Sequence, residues 1–116
     1  MNERLEKGIK RQFEVDGKDR SKTVDELDDI GRYIAEFAFG DIYSREGLTL
    51  REREIVTISM LTAKGGCEPQ LASHIKAGLH VGLTGKEIRE IIIQACVYAG
   101  FPAAINAINV LKSIDA

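Results

Sequence analysis

No charged residue occurs between Ile91 and Leu111, and this run constrains the fold more than any other part of the chain. A membrane span needs ~20 predominantly apolar residues in one uninterrupted helix. Here Gly100-Phe101-Pro102 interrupts the run, and Gln94, Asn106 and Asn109 place amides within it. The pattern predicts two packed helices, not a span: glycine ends a helix readily, and proline is accepted in a first turn, where its missing N–H has no partner anyway. The N-terminal Met1-Asn2-Glu3-Arg4-Leu5-Glu6-Lys7 has no apolar segment after its charges, so no secretory signal is expected. Cys67 and Cys96 are then expected as reduced thiols in a cytoplasmic protein.

Strands are poorly supported, because the chain has neither alternating polar and apolar runs nor an Asn-Gly turn. Helix starts are marked instead. Three capping boxes, in which a Thr hydroxyl and a Glu three residues on satisfy each other's backbone N–H groups, occur at Thr23-Val24-Asp25-Glu26, Thr49-Leu50-Arg51-Glu52 and Thr84-Gly85-Lys86-Glu87. Pro69 and Pro102 suit first helical turns, and Gly65-Gly66, Gly82 and Gly100 suit helix stops. Six helices follow, over residues 2–14, 23–38, 49–64, 68–81, 84–99 and 101–113. The expected fold is all-α, a single-domain helical bundle of about six helices, with a charged helical segment over 1–22 preceding a domain over 23–116.

After Glu54 the third helix reads Ile55-Val56-Thr57-Ile58-Ser59-Met60-Leu61-Thr62-Ala63, apolar on every side, and the fifth and sixth are similar. Such helices belong in a core. A chain of 116 residues has too little interior to hide three of them, so the surplus predicts self-association into a homo-oligomer. A net charge of −2 with scattered basic residues disfavours partnership with nucleic acid or an anionic membrane.

Three residues are candidates for chemistry. Glu54 shares a helical face with Leu50, Ile58 and Leu61, so its carboxylate loses hydration and is expected either to favour its neutral form or to find a partner, for which Arg51 is one turn away. Alternatively it merely complements the dipole of the helix start. His74 flanks the apolar stripe Leu71, Ile75, Gly78 and Leu79 of the fourth helix. It reads either as a hydrogen-bonded structural residue or as a proton shuttle, since imidazole exchanges protons near neutral pH. Cys67 precedes the same helix, whose N-terminus favours a thiolate, while the adjacent Glu68 opposes one. His80 faces the opposite side and reads as inert, and Cys96 reads as a small core residue. Two histidines and two scattered cysteines make no zinc set, so no metal is expected.

From Leu50 onward the residues become specific. Leu50-Arg51-Glu52-Arg53-Glu54-Ile55-Val56-Thr57, Glu68-Pro69-Gln70-Leu71-Ala72-Ser73-His74, Gly78-Leu79-His80-Val81-Gly82-Leu83-Thr84 and Tyr98-Ala99-Gly100-Phe101-Pro102-Ala103-Ala104-Ile105-Asn106-Ala107 resemble, in order, four segments of the carboxymuconolactone decarboxylase family. The resemblance covers about residues 23 to 113 and implies an all-α fold assembling as rings of dimers, trimeric or hexameric in size.

The resemblance implies two chemistries. One branch decarboxylates 4-carboxymuconolactone without metal or organic cofactor. On that reading His74 donates the proton, Glu54 orients it, and Arg51, Arg53 or Tyr98 contacts the substrate, although Tyr98 also reads as a packed core aromatic. The other branch, similar to alkylhydroperoxidase D, reduces peroxides through a Cys-x-x-Cys pair. Here Gln70 stands where the second cysteine belongs, leaving only Cys67. The expectation is a cofactor-free decarboxylase of a small acidic lactone, with a Cys67-dependent peroxidase or a non-enzymatic assembly module as alternatives.

Overall fold

The computed structural model describes residues 2–114. Among them are six α-helices: α1 (Glu3–Asp16), α2 (Asp29–Tyr33), α3 (Leu50–Lys64), α4 (Glu68–His80), α5 (Gly85–Ala99) and α6 (Phe101–Ser113). A 3₁₀ turn, Val24–Leu27, precedes α2 and a π-helix, Ile34–Ile42, follows it; no strand occurs among the described residues. The chain forms two compact units, the first ending at Leu50 and the second beginning at Arg51.

In the first unit, the Asn2 side chain caps α1 by accepting from the Leu5 N–H at 2.7 Å. Gly17 closes the helix with φ 77°, its N–H donating to the Phe13 carbonyl. Leu5, Ile9 and Ala35 form a small core against which Val24 packs. The decisive contact is backbone to backbone. A Cβ added at Gly8 would lie 1.7 Å from the Ala35 carbonyl oxygen, and one at Gly40 would lie 3.1 Å from that of Arg4. The Arg4 guanidinium then clasps the Asp41 carboxylate, Nε to Oδ1 at 3.1 Å and Nη2 to Oδ2 at 2.5 Å. Hydrogen bonding from Arg4 holds the Asp41 carboxyl below its ordinary range.

The second predicted helix, 23–38, departs from expectation. The Thr23 side chain makes no capping bond, and the 3₁₀ turn that follows stops at Asp28, whose φ of 58° lies where L-residues rarely go. The Asp28 carboxylate accepts from the Asp29 N–H at 2.9 Å, which lets helix restart as α2. Gly31 permits the fold-back, since a Cβ there would lie 1.9 Å from the Val24 carbonyl oxygen. From Ile34 the helix widens to the π form and persists beyond 38, ending where the Tyr43 N–H donates to the Ala38 carbonyl at 2.8 Å. The wider turn buries Ala35, Phe39 and Gly40 together.

The second unit is built on isoleucine. Ile58, Ile75, Ile88 and Ile92 are fully buried, joined by Leu71, Leu83 and Ala107. The predicted box at Thr84 forms in full: its hydroxyl accepts from the Glu87 N–H, and its own N–H donates to Glu87 Oε1, both at 3.0 Å. The other Glu87 oxygen pairs with Arg51, tying the start of α3 to the start of α5. The Thr84 backbone N–H, and after it Arg51, holds the Glu87 carboxyl below the ordinary carboxylate range. Gly100, at φ 92°, separates α5 from α6 as the sequence predicts. No helix among the described residues is long and apolar enough to cross a membrane.

Two burial expectations need correction. Tyr98 is 93% exposed and not a core aromatic, and Cys96 is only half-buried. Helix α3, apolar on every side beyond Glu54, buries one stripe and leaves Val56 and Met60 exposed, in line with the surplus of apolar surface expected of so short a chain.

Gly8→Ala is expected to destabilise the first unit by about 3 kcal/mol or more, at or above the usual ~1–3 kcal/mol for overpacking, because the obstacle is backbone and cannot rotate away. Gly47→Ala, with nothing within 4 Å of the added methyl, is the control. Urea melts of the two variants check this, and equal losses would refute the close contact.

Candidate active site

Helix α3 buries Glu54, Ile58 and Thr62, spaced by four residues on one face. Helix α4 buries Leu71 and Ile75, also one turn apart, together with Ala77 and Gly78, and His74 flanks that stripe. Packing these two stripes brings His74 Nδ1 to 2.9 Å from Glu54 Oε1, across twenty residues of sequence. The Glu54 side chain has no exposed surface, whereas that of His74 is 26% exposed. One end of the pair is therefore closed to water and the other is open.

An ionised carboxylate only accepts hydrogen bonds, so beside an ionised Glu54 the Nδ1 would carry the proton toward Oε1, leaving Nε2 as the ring nitrogen free of that contact. Protonation of Nε2 makes an imidazolium whose charge the buried carboxylate compensates at hydrogen-bond distance. A buried carboxylate holding an imidazole in one tautomer is a recurrent acid–base arrangement.

The other predicted residues lie apart from the pair. Cys67 is half-buried at the start of α4, its thiol donating to the Leu61 carbonyl at 3.4 Å. It borders a hollow of ≈10 Å³, shared with Thr62, Glu68 and Asn106, with room for no more than about one water. Arg51, expected beside Glu54 or a substrate, pairs with Glu87. Arg53 is half-buried on α3, and His80 is exposed at the end of α4. Tyr98 lines a groove of ≈420 Å³ between α3 and α5 with Ile55, Ser59, Met60, Ile91 and Gln94, and neither Glu54 nor His74 borders it. Sequence reasoning missed the Arg51–Glu87 tie. The signal was present, since the capping glutamate of α5 has a second oxygen to spare.

A small all-α protein with a closed carboxylate–imidazole pair is thus the class that fold and site define. The sequence model of the carboxymuconolactone decarboxylase family matches residues 28–113, and the chain belongs to that family. A 4-carboxymuconolactone decarboxylase of Acinetobacter baylyi is 32% identical over 97% of this chain and 87% of its own length. An uncharacterised 15.0 kDa protein of Paracoccus denitrificans is 37% identical over 72% of this chain and 63% of its own length. A nitrosuccinic acid decarboxylase of Metarhizium robertsii is 32% identical over 68% of this chain and 54% of its own length.

Replacing Glu54 by leucine, which fills similar space but accepts no hydrogen bond, is expected to move the neutral His74 imidazole from the Nδ1–H form to the Nε2–H form. Nitrogen-15 NMR of the ring reads this directly, and an unchanged tautomer would remove Glu54 from its orienting role. His74→Ala is expected to cost about 1.5–3 kcal/mol, the usual range for losing a hydrogen bond to a charged group.

Proposed function

We propose that this protein is a cofactor-free decarboxylase of a small acid whose carboxylate leaves behind an anion that a neighbouring group can hold on oxygen. The supporting observation is the 2.9 Å pair of buried Glu54 and part-exposed His74. Two relatives carry names that share this chemistry. In a carboxymuconolactone, the electron pair released with CO₂ spreads to the lactone carbonyl. In a nitrosuccinic acid it spreads to the nitro group. Either anion must then be protonated on carbon.

The reaction balances within these residues. The C–CO₂ bond breaks, CO₂ departs, and the electron pair remains on carbon and its oxygen acceptor. The Nε2–H of the His74 imidazolium gives its proton to that carbon, and solvent restores it through the exposed edge of the ring. Glu54 stays ionised, fixing the ring and compensating its charge. Arg53, one residue before Glu54 on α3, is our candidate for the retained substrate carboxylate, for which a guanidinium fork is suited. Arg51 is committed to Glu87, and we assign Tyr98 to the groove instead.

The thiol reading has less support. Cys67 directs its S–H to the Leu61 carbonyl, and the hollow beside it has room for no more than about one water. Assays of CO₂ release from 4-carboxymuconolactone and of dithiol-driven peroxide reduction separate the readings. His74→Ala is expected to lower decarboxylation by at least ~10²-fold, the lower bound for loss of a general acid, while Cys67→Ser keeps most of it. Peroxide turnover that vanishes with Cys67→Ser would replace the decarboxylase with a one-cysteine peroxidase. Neither activity in wild type would favour the non-enzymatic module.

We further propose that the groove between α3 and α5 receives a second copy of the chain. Met60, Val97, Tyr98, Phe101 and Ile105 are all more than half exposed, and no charge lies between Ile55 and Ala63 or between Ile91 and Leu111. A charge-free surface is complemented by another such surface, which its own copy supplies. Sedimentation is expected to show an oligomer for wild type and a smaller species for Met60→Lys; a monomeric wild type would overturn the assignment.

A further inference from the structure

A second hollow, of ≈240 Å³, lies wholly within the first unit. Gln12, Arg20, Thr23, Glu26, Leu27 and Ile34 are among its walls. Gln12 is 9% exposed, and its Oε1, fully buried, meets no donor among the described residues. The Arg20 Nη2 is held by Asp16 Oδ2 at 2.7 Å, but its Nε is buried and meets no acceptor among the described residues. Buried polar groups without partners are rare in folded proteins, and each destabilises the fold that contains it. Here two of opposite sense, one acceptor and one donor, border the same hollow without satisfying each other.

We propose that this hollow is a binding site for a small neutral amide-bearing molecule with a branched apolar tail. The amide N–H would supply the donor that Gln12 Oε1 lacks, and its carbonyl would accept from the Arg20 Nε–H. An amide offers both senses side by side. The tail packs on Val24, Leu27 and Ile34. Charge excludes an anion. The one positive group is already neutralised by Asp16, and Glu26 lines the same wall, so the surroundings are net negative. An alkylammonium suits that charge but leaves the Arg20 donor unsatisfied. The site is thus distinct in ligand chemistry from the acid-binding site proposed around His74.

The test is a titration of the full-length protein with isovaleramide, followed through the side-chain amide signals of Gln12 and the Nε–H signal of Arg20 by NMR. Isovalerate and isoamylamine, the same tail with an anion or an ammonium, are the comparators. Saturable shifts of both signals are expected with isovaleramide, and affinities at least ten-fold weaker for the comparators. Gln12→Met, similar in volume without the acceptor, is expected to abolish the response. Glu26→Gln, at an exposed position, is expected to narrow the gap between isovalerate and isovaleramide. No saturable shift in wild type, or an unchanged isotherm in Gln12→Met, would mean that the hollow holds only water and would overturn the proposal. An unchanged gap in Glu26→Gln would overturn its charge selectivity.

Discussion

The second unit is organised around a carboxylate that has no contact with water. Removing a carboxylate from solvent is costly unless partners replace its hydration, and the expense grows with depth. Glu54 is as deep as the isoleucines around it. It keeps its charge there only if hydrogen-bond donors are held against it, and the imidazole on α4 is one. That requirement fixes the spacing of α3 and α4, since a shift of about one ångström takes the pair out of hydrogen-bond range. Isoleucine packing on the same helix faces supplies the rigidity that such a position needs.

The two units use different physics. The second relies on branched side chains that interdigitate, with Ile58 on α3, Ile75 on α4, and Ile88 and Ile92 on α5. The first contributes few large buried side chains and relies on backbones brought together through Gly8, Ala35 and Gly40. Close approach gains dispersion contacts without bulk, but it leaves no tolerance for an added methyl. The π-helix belongs to this solution: its wider turn is what presents Ala35, Phe39 and Gly40 to one side. Ser44 supports it by donating to the Phe39 carbonyl at 2.7 Å.

Local signals in the sequence were legible where local physics decides. The box at Thr84, the proline at the start of α4 and the break at Gly100 all act within a turn or two, and the structure has them where the residues say. The helix over 23–38 was not legible in the same way. Its interruption depends on Asp28 taking a positive φ and on Gly31 meeting Val24, and the capping box at Thr23 points to an unbroken helix. Glu54 announced that it needed a partner. That the partner is His74, twenty positions away, follows only from how α3 and α4 pack, which no spacing rule contains. Tyr98 misleads for the opposite reason: its neighbours are apolar, but apolarity does not say whether a face meets the chain's own core or something else.

Helix α3 shows why such a face need not compete with the site. Residues advance about 100° per step around a helix, so positions 54, 58 and 62 form one stripe, while 55, 59, 60 and 63 project elsewhere. A helix polar on one side would free the second face for water, and a site there would be lost to solvation. Beyond Glu54, α3 carries no charge as far as Ala63, so the helix that buries Glu54 on one face leaves apolar Val56 and Met60 exposed on another. The charge-free run from Ile55 to Ala63, which makes this helix hard to place wholly inside a monomer, thus puts the buried stripe of Glu54 and the wall of the groove proposed for self-association on one element.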